Sequence, residues 1–266
     1  MISPSLRPAY APRSPFFAKV TRILLALNLL AAQVSFGLAP SELWTDEPPR
    51  TLPAKLAALD QAASDLPAAV RPAAVFQKAS IQMRAGLEEG LWLPELEHTA
   101  KANGDDSCTA GLRELARAWL SRLAMRQVDA ALLKFYRRQV RFPDSLSEAA
   151  EEIPKNLQLD AWGEPWVYKP AAPNHLKLVK QRYQLGTTRY PLLSRFEDAL
   201  KPARPVPSWK ITSRLVGSRR VLELRDAAGK TAALQEGGRL GEIGLLFIGD
   251  GWALFADTEH LFAATF

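Results

Sequence analysis

The stretch LQLDAWGEPWVYK, residues 157–169, places Trp162, Trp166 and Tyr168 within seven residues, around Asp160, Gly163 and Pro165. Aromatics at this density form either a flat ligand-stacking platform or the packed corner of a small sheet. The local chemistry favours the corner. Asp160 reads as a turn-capping acceptor for backbone amides, Gly163 as part of the same corner, and Pro165 as stiffening the turn. Trp166-Val167-Tyr168 then reads as the start of a strand, with Leu176 to Val179 and Arg182 to Leu185 as further extended pieces.

Upstream lies the longest proline-free helical pattern, residues 109–142, with 8 basic and 2 acidic residues. Leu112, Leu115, Ala116, Trp119 and Leu123 mark one face at three- and four-residue spacing. Beyond Leu123 the apolar set moves to Ala124, Val128, Ala131, Leu132 and Phe135, so the helix either breaks there or packs its two halves against different partners. Its arginines read as a solvated face, with an anionic membrane contact through Arg113, Arg117 and Arg122 as the sharper alternative.

Downstream, three prolines in KPARPVP (201–207) predict a stiff extended linker that holds the C-terminal region at a distance. Residues 208–266 carry six short strand patterns separated by Gly237-Gly238, Gly249-Asp250-Gly251 and Asp257-Thr258, which predicts a small all-β domain. On the other side, residues 40–108 carry 6 basic and 11 acidic residues and read as short helices around Leu56, Leu59 and Leu66 and from Val75 to Leu87. Pro67, Pro72 and Pro94 are expected to punctuate them, and Asn103 to Ser107 to turn and cap the next helix.

The N-terminal segment 1–39 has Arg7, Arg13, Lys19 and Arg22, no acid, a ten-residue apolar core ILLALNLLAA at 23–32, and Gly37 and Ala39 spaced for cleavage. This is the pattern of a secretory signal peptide. An uncleaved segment would instead anchor the chain at the inner membrane through residues 23–41. It also supplies +4 of the net charge of +6, so the charge gives no reason to expect a nucleic-acid partner.

The run ALLKFYRRQVRFPDSLSEA followed by LQLDAWGEPWVYK resembles the soluble module of type II secretion pseudopilins and type IV pilin-like proteins, over about residues 110–190. The motif residues are Phe142, Pro143, Asp160, Trp162, Gly163, Pro165 and Tyr168. The resemblance implies a helix packed on a small antiparallel sheet and a role in protein transport or pilus assembly. It does not extend to the filament stem, because the apolar segment precedes Gly37 and about seventy residues separate it from the matching helix. Nor does it extend to a calcium loop, since YQLGTTRYPLLSRFED has few hard oxygen ligands before Glu197 and Asp198. More weakly, LQEGGRLG (234–241) and the strands after it resemble the periplasmic β-domain of inner-membrane secretion and pilus assembly proteins.

Catalytic chemistry is thinly represented. His98, His175 and His260 lie far apart in sequence without ligand spacing, and no serine sits in a nucleophile elbow. Cys108, the one cysteine, has acidic neighbours that disfavour its thiolate. No catalytic, metal or cofactor residue is therefore assigned.

The sequence thus predicts an α+β protein: signal peptide or anchor (1–39), helical region (40–108), pilin-like α+β module (109–200), linker (201–207) and six-stranded β-domain (208–266). The expected role is that of a non-enzymatic assembly component of a type II secretion or type IV pilus-like machine. It would work by protein–protein contacts in the periplasm or cell envelope of a Gram-negative bacterium. The rival is a periplasmic hydrolase or polysaccharide-binding protein using Trp162, Trp166 and Tyr168.

Overall fold

The computed structural model describes residues 43–44, 51–170, 183–201 and 209–266. The expected signal or anchor segment, His175, the expected strand at 176–179 and the expected linker beyond Lys201 lie outside these residues. The architecture is α+β. Helices α1 (Leu52–Asp65), α2 (Arg71–Arg84) and α3 (Glu89–Lys101) precede the long α4 (Ser107–Gln139). Two 3₁₀ turns (Leu146–Ala149 and Lys155–Leu157) lead to the antiparallel pair β1 (Val167–Pro170) and β2 (Tyr183–Gly186), then the one-turn α5 (Phe196–Ala199).

Pro72 stands in the first turn of α2, where its missing N–H is not needed. Pro94, expected to end a helix, instead lies inside α3. It lies in that helix's second turn, where a proline forfeits one backbone hydrogen bond. The cap expected before α4 is present: the Asp106 carboxylate accepts the Thr109 amide N–H at 2.8 Å.

Helix α4 does not break at Leu123. Its two halves serve two cores, which accounts for the change of apolar face. Leu112, Leu115, Ala116, Trp119 and Leu123 pack with α2 and α3, including Phe76, Trp92 and Leu96. Met125, Val128, Leu132 and Phe135 pack with Ile153, Leu157, Trp166 and Leu185. The helix ends at Val140 in a left-handed conformation (φ 57°), a place usually taken by glycine. Since a β-branched residue is strained there, Val140→Gly should raise stability by about 1 kcal/mol, measured by chemical denaturation.

The last region carries seven strands among the described residues, not six, in two antiparallel sheets. The first contains β3 (Lys210–Val216), β4 (Arg219–Arg225) and β5 (Thr231–Leu234). The second contains β6 (Arg239–Leu240), β7 (Ile243–Ile248), β8 (Trp252–Ala256) and β9 (Leu261–Thr265). The added strand is the two-residue β6, too short to show alternation.

The second sheet is buried on both faces. Leu245, Ile248, Ala253 and Phe255 meet Leu222 and Leu224 of the first sheet. Leu246, Leu254, Ala256 and Leu261 belong to the core of α2–α4. Two-sided burial explains why IGLLFI and WALFA are continuous apolar runs rather than alternating ones. A bulge between Leu245 and Phe247 lets Leu246 and Phe247 both lean toward the helices. Gly111 marks the closest approach, since a Cβ there would lie 2.1 Å from Leu246 Cδ2. The expectation that the β-region stands at a distance from the rest is therefore corrected: its inner sheet is seated directly on α4.

Candidate functional site

The motif stretch folds as a tight hairpin corner. The Asp160 carboxylate accepts the amides of Trp162 and Glu164, each at 2.9 Å. The Gly163 amide donates to the Asp160 carbonyl at 3.0 Å, and Gly163 takes φ +80°. Leu159 then bridges Pro165 across the turn. Burial raises the Asp160 carboxyl above its usual value, against the opposing pull of the two amides.

The corner is fastened to α4 at two points seven residues apart, hence on one face of that helix. Ser121 Oγ accepts the Ala161 amide at 3.1 Å, and the Glu114 carboxylate accepts Trp162 Nε1–H at 3.1 Å. Arg189 donates to the same Glu114 at 3.0 Å and lies over the Trp162 ring at 5.9 Å, with the Tyr190 ring 5.6 Å away. Trp166 is buried and donates Nε1–H to the Leu157 carbonyl at 2.8 Å. Tyr168 donates its hydroxyl to the Pro143 carbonyl at 2.7 Å, and burial pushes that phenol up to about 12, with Asp144 and Glu148 adding to the shift.

Phe142 stacks on Tyr136 at 4.8 Å and meets Tyr183 edge-on at 4.9 Å. Tyr183 in turn donates to Asp129 of α4 at 2.8 Å. The corner and the Phe142–Pro143 segment are thus gathered along α4 from Glu114 to Tyr136, mostly through structural contacts. The three aromatics of the stretch do not share one open face: Trp166 points into the core, and Trp162 and Tyr168 are half-buried with their polar atoms engaged.

Glu114 and Tyr190 also form one wall of a cleft of about 280 Å³ between α4 and the inner sheet. Gly111, Leu115 and Leu246 line it as well, and Asp257 and Thr258 close it from the β8–β9 turn. That turn is held by Asp257, whose carboxylate accepts the amides of Glu259 at 2.6 Å and His260 at 2.7 Å.

Burial alone would raise the Asp257 carboxyl. The His260 side chain and the two amides together outweigh it and hold the group below the usual 3.8. A carboxyl whose folded value is depressed stabilises the fold above its unfolded value and loses that contribution as pH falls through the folded one. Asp257→Asn should therefore melt earlier than the parent at neutral pH. The two melting curves should converge below about pH 4, read by thermal unfolding across pH.

Behind the turn lies a feature that sequence reasoning missed. Arg122, read as part of a solvated face, is 1% exposed. Its guanidinium donates to the Thr258 carbonyl at 2.7 Å and to Ser194 Oγ at 3.1 Å, 3.5 Å from Glu259 and 5.0 Å over the Trp119 ring. Burial lowers Arg122 to about 10, opposed by Glu259 and Asp257, so it stays charged at neutral pH. The signal was available in the spacing: Arg122 follows Trp119 by three residues, on the same apolar face. Arg113 and Arg117 are likewise committed, donating to the Ala102 and Ala100 carbonyls at the end of α3. A membrane contact through these three arginines is therefore corrected, as their heads bind the protein itself.

Among the described residues, no group of three His, Cys, Asp or Glu is placed to hold a metal ion. Asp198 pairs with Lys201 at 2.6 Å, and the turn from Thr187 to Tyr190 is closed by its own hydrogen bonds. Cys108 is buried, and burial first, then Asp106 and Glu236, raises its thiol to about 12. His98 is exposed while His260 is buried beside Asp257. No described helix is long and apolar enough to cross a membrane.

Fold and site together define an α+β protein whose aromatic stretch is a packed corner between helix and sheet. Neither a protein-family model, nor a curated protein, nor a solved structure matches the chain.

Proposed function

We propose that this protein is an exported, non-enzymatic assembly component of a type II secretion or type IV pilus-like machine, acting through protein–protein contacts in the cell envelope. One observation carries the reading. Phe142, Pro143, Asp160, Trp162, Gly163, Pro165 and Tyr168, on which the resemblance to pseudopilin modules rests, lie together along α4, from Glu114 to Tyr136, in a helix-on-sheet arrangement. The Asp160 Oδ1, the Trp162 indole N–H and the Tyr168 hydroxyl are each engaged within the fold, which leaves the module to act as a shaped surface. The β-region seated on α4 adds a rigid second surface to the same body, in keeping with the weaker resemblance to periplasmic assembly domains.

Deletion of the gene in its host, with the secreted proteins and surface fibres compared before and after, tests the reading. It should be combined with a photo-crosslinking residue at Leu192, which is 83% exposed beside the module. The expected result is loss of secreted proteins or fibres, with crosslinks to pilin-like or secretion-platform subunits. Unchanged secretion and fibres, without such crosslinks, would overturn it.

A further inference from the structure

The outer sheet ends in a feature that neither the module nor the cleft uses. Strand β3 is an edge strand, exposed along most of its length, and with β4 it projects as the hairpin SRLVGSRR, residues 213–220. Val216 pairs with Arg219 and Leu215 with Arg220 across the ladder, so the loop is the two residues Gly217-Ser218. Gly217 has φ +63° and Ser218 does not take a positive φ, the pattern of a tight II′ turn that holds the tip in one shape. Leu215 is 71% and Val216 51% exposed.

A single exposed leucine needs no explanation, but two adjacent aliphatics at a hairpin apex, where turns are ordinarily polar, do. Being consecutive on a strand, they point to opposite faces. A protein laid against either face of the hairpin would cover one of them and leave the other in water. End-on entry into a fluid apolar layer covers both.

The charges agree with that geometry. Residues 213–220 hold Arg214, Arg219 and Arg220 and no acid. Arg214 pairs with Glu223 at 3.0 Å and Arg220 with Asp250 at 2.6 Å, while Arg219 has no ion pair among the described residues. Arg219 and Arg220 lie level with Val216 and Leu215 on the ladder, so when the apex enters the interface their long stems run along the acyl boundary and carry the charged heads to the headgroups.

We propose that the β3–β4 hairpin is a membrane-contact tip. Leu215 and Val216 enter the interfacial layer of an anionic phospholipid surface, and Arg219, the arginine of the tip not held in an ion pair among the described residues, meets the headgroup phosphates. The inference is independent of the pilin-type reading, because it rests on a different sheet and a different set of residues.

The test must separate entry of the tip from attachment by any other part of the chain. Full-length protein carrying Ser218→Cys, labelled with nitrobenzoxadiazole, is mixed with vesicles of phosphatidylglycerol and phosphatidylcholine in equal parts, or of phosphatidylcholine alone. The expected result is a blue shift and a several-fold rise in emission on the anionic vesicles only. High salt should reverse it, and Arg219→Glu should weaken the half-maximal lipid concentration by roughly fivefold or more. The pair Leu215→Ser and Val216→Ser should abolish the shift while the melting temperature stays unchanged, since both side chains lie in solvent.

A probe that stays water-like while the protein co-sediments with anionic vesicles would overturn the proposal. So would a shift produced by soluble polyglutamate and not by vesicles, which would mark the tip as a site for an acidic protein.

Discussion

Arg122→Ala is expected to destabilise the protein by about 3–5 kcal/mol, the range for removing one partner from a buried charged network. The substitution strips the Thr258 carbonyl and Ser194 hydroxyl of their donor and uncovers the Trp119 ring. It loosens three segments at once, because α4, the loop before α5 and the β8–β9 turn all converge on this guanidinium. Arg122→Met keeps the packing of the stem and should cost less, about 1–3 kcal/mol for the partners left unpaired. Chemical denaturation of the three proteins measures the difference. A loss below about 1 kcal/mol for Arg122→Ala would show that the buried guanidinium is incidental to the joint between helix and sheet.

The second large effect is expected at Trp166. It is 7% exposed in the core formed by the C-terminal half of α4, and it carries a hydrogen bond to the Leu157 carbonyl. Trp166→Ala should cost about 3–5 kcal/mol through the cavity it leaves. Trp166→Phe, which fills most of the same space, isolates the lost hydrogen bond and should cost nearer 1 kcal/mol beyond the smaller ring. The same denaturation series reads both, and a change at position 166 that left stability untouched would remove the corner from the core.

Several features of this fold are legible in the chain because short-range physics fixes them. The Asp160 turn, the Asp106 cap and the shift of apolar face along α4 each depend on spacing within a few residues, and each leads to an observed contact. What the chain conceals depends on partners far away in sequence. Arg122 looks like any surface arginine until Thr258 and Glu259, some 136 residues on, close over it. The two-sided burial of β7 and β8 is hinted at by their unbroken apolar runs, but those runs do not say that the second face belongs to α4. The cleft between Glu114 and Asp257 exists only because the inner sheet is seated on the helix, so no local motif announces it.

The central claim is that LQLDAWGEPWVYK is a fold corner of a protein that works by shape and contact, and Trp162 tests it most directly. Trp162 is half-buried, with its indole N–H on Glu114. Trp162→Ala should therefore cost about 2 kcal/mol and lower the melting temperature by roughly 5 °C. Neither the parent nor the variant should bind carbohydrates on a glycan array. A Trp162→Ala protein that melts like the parent while losing glycan binding that the parent possesses would contradict the account and make the stretch a ligand platform.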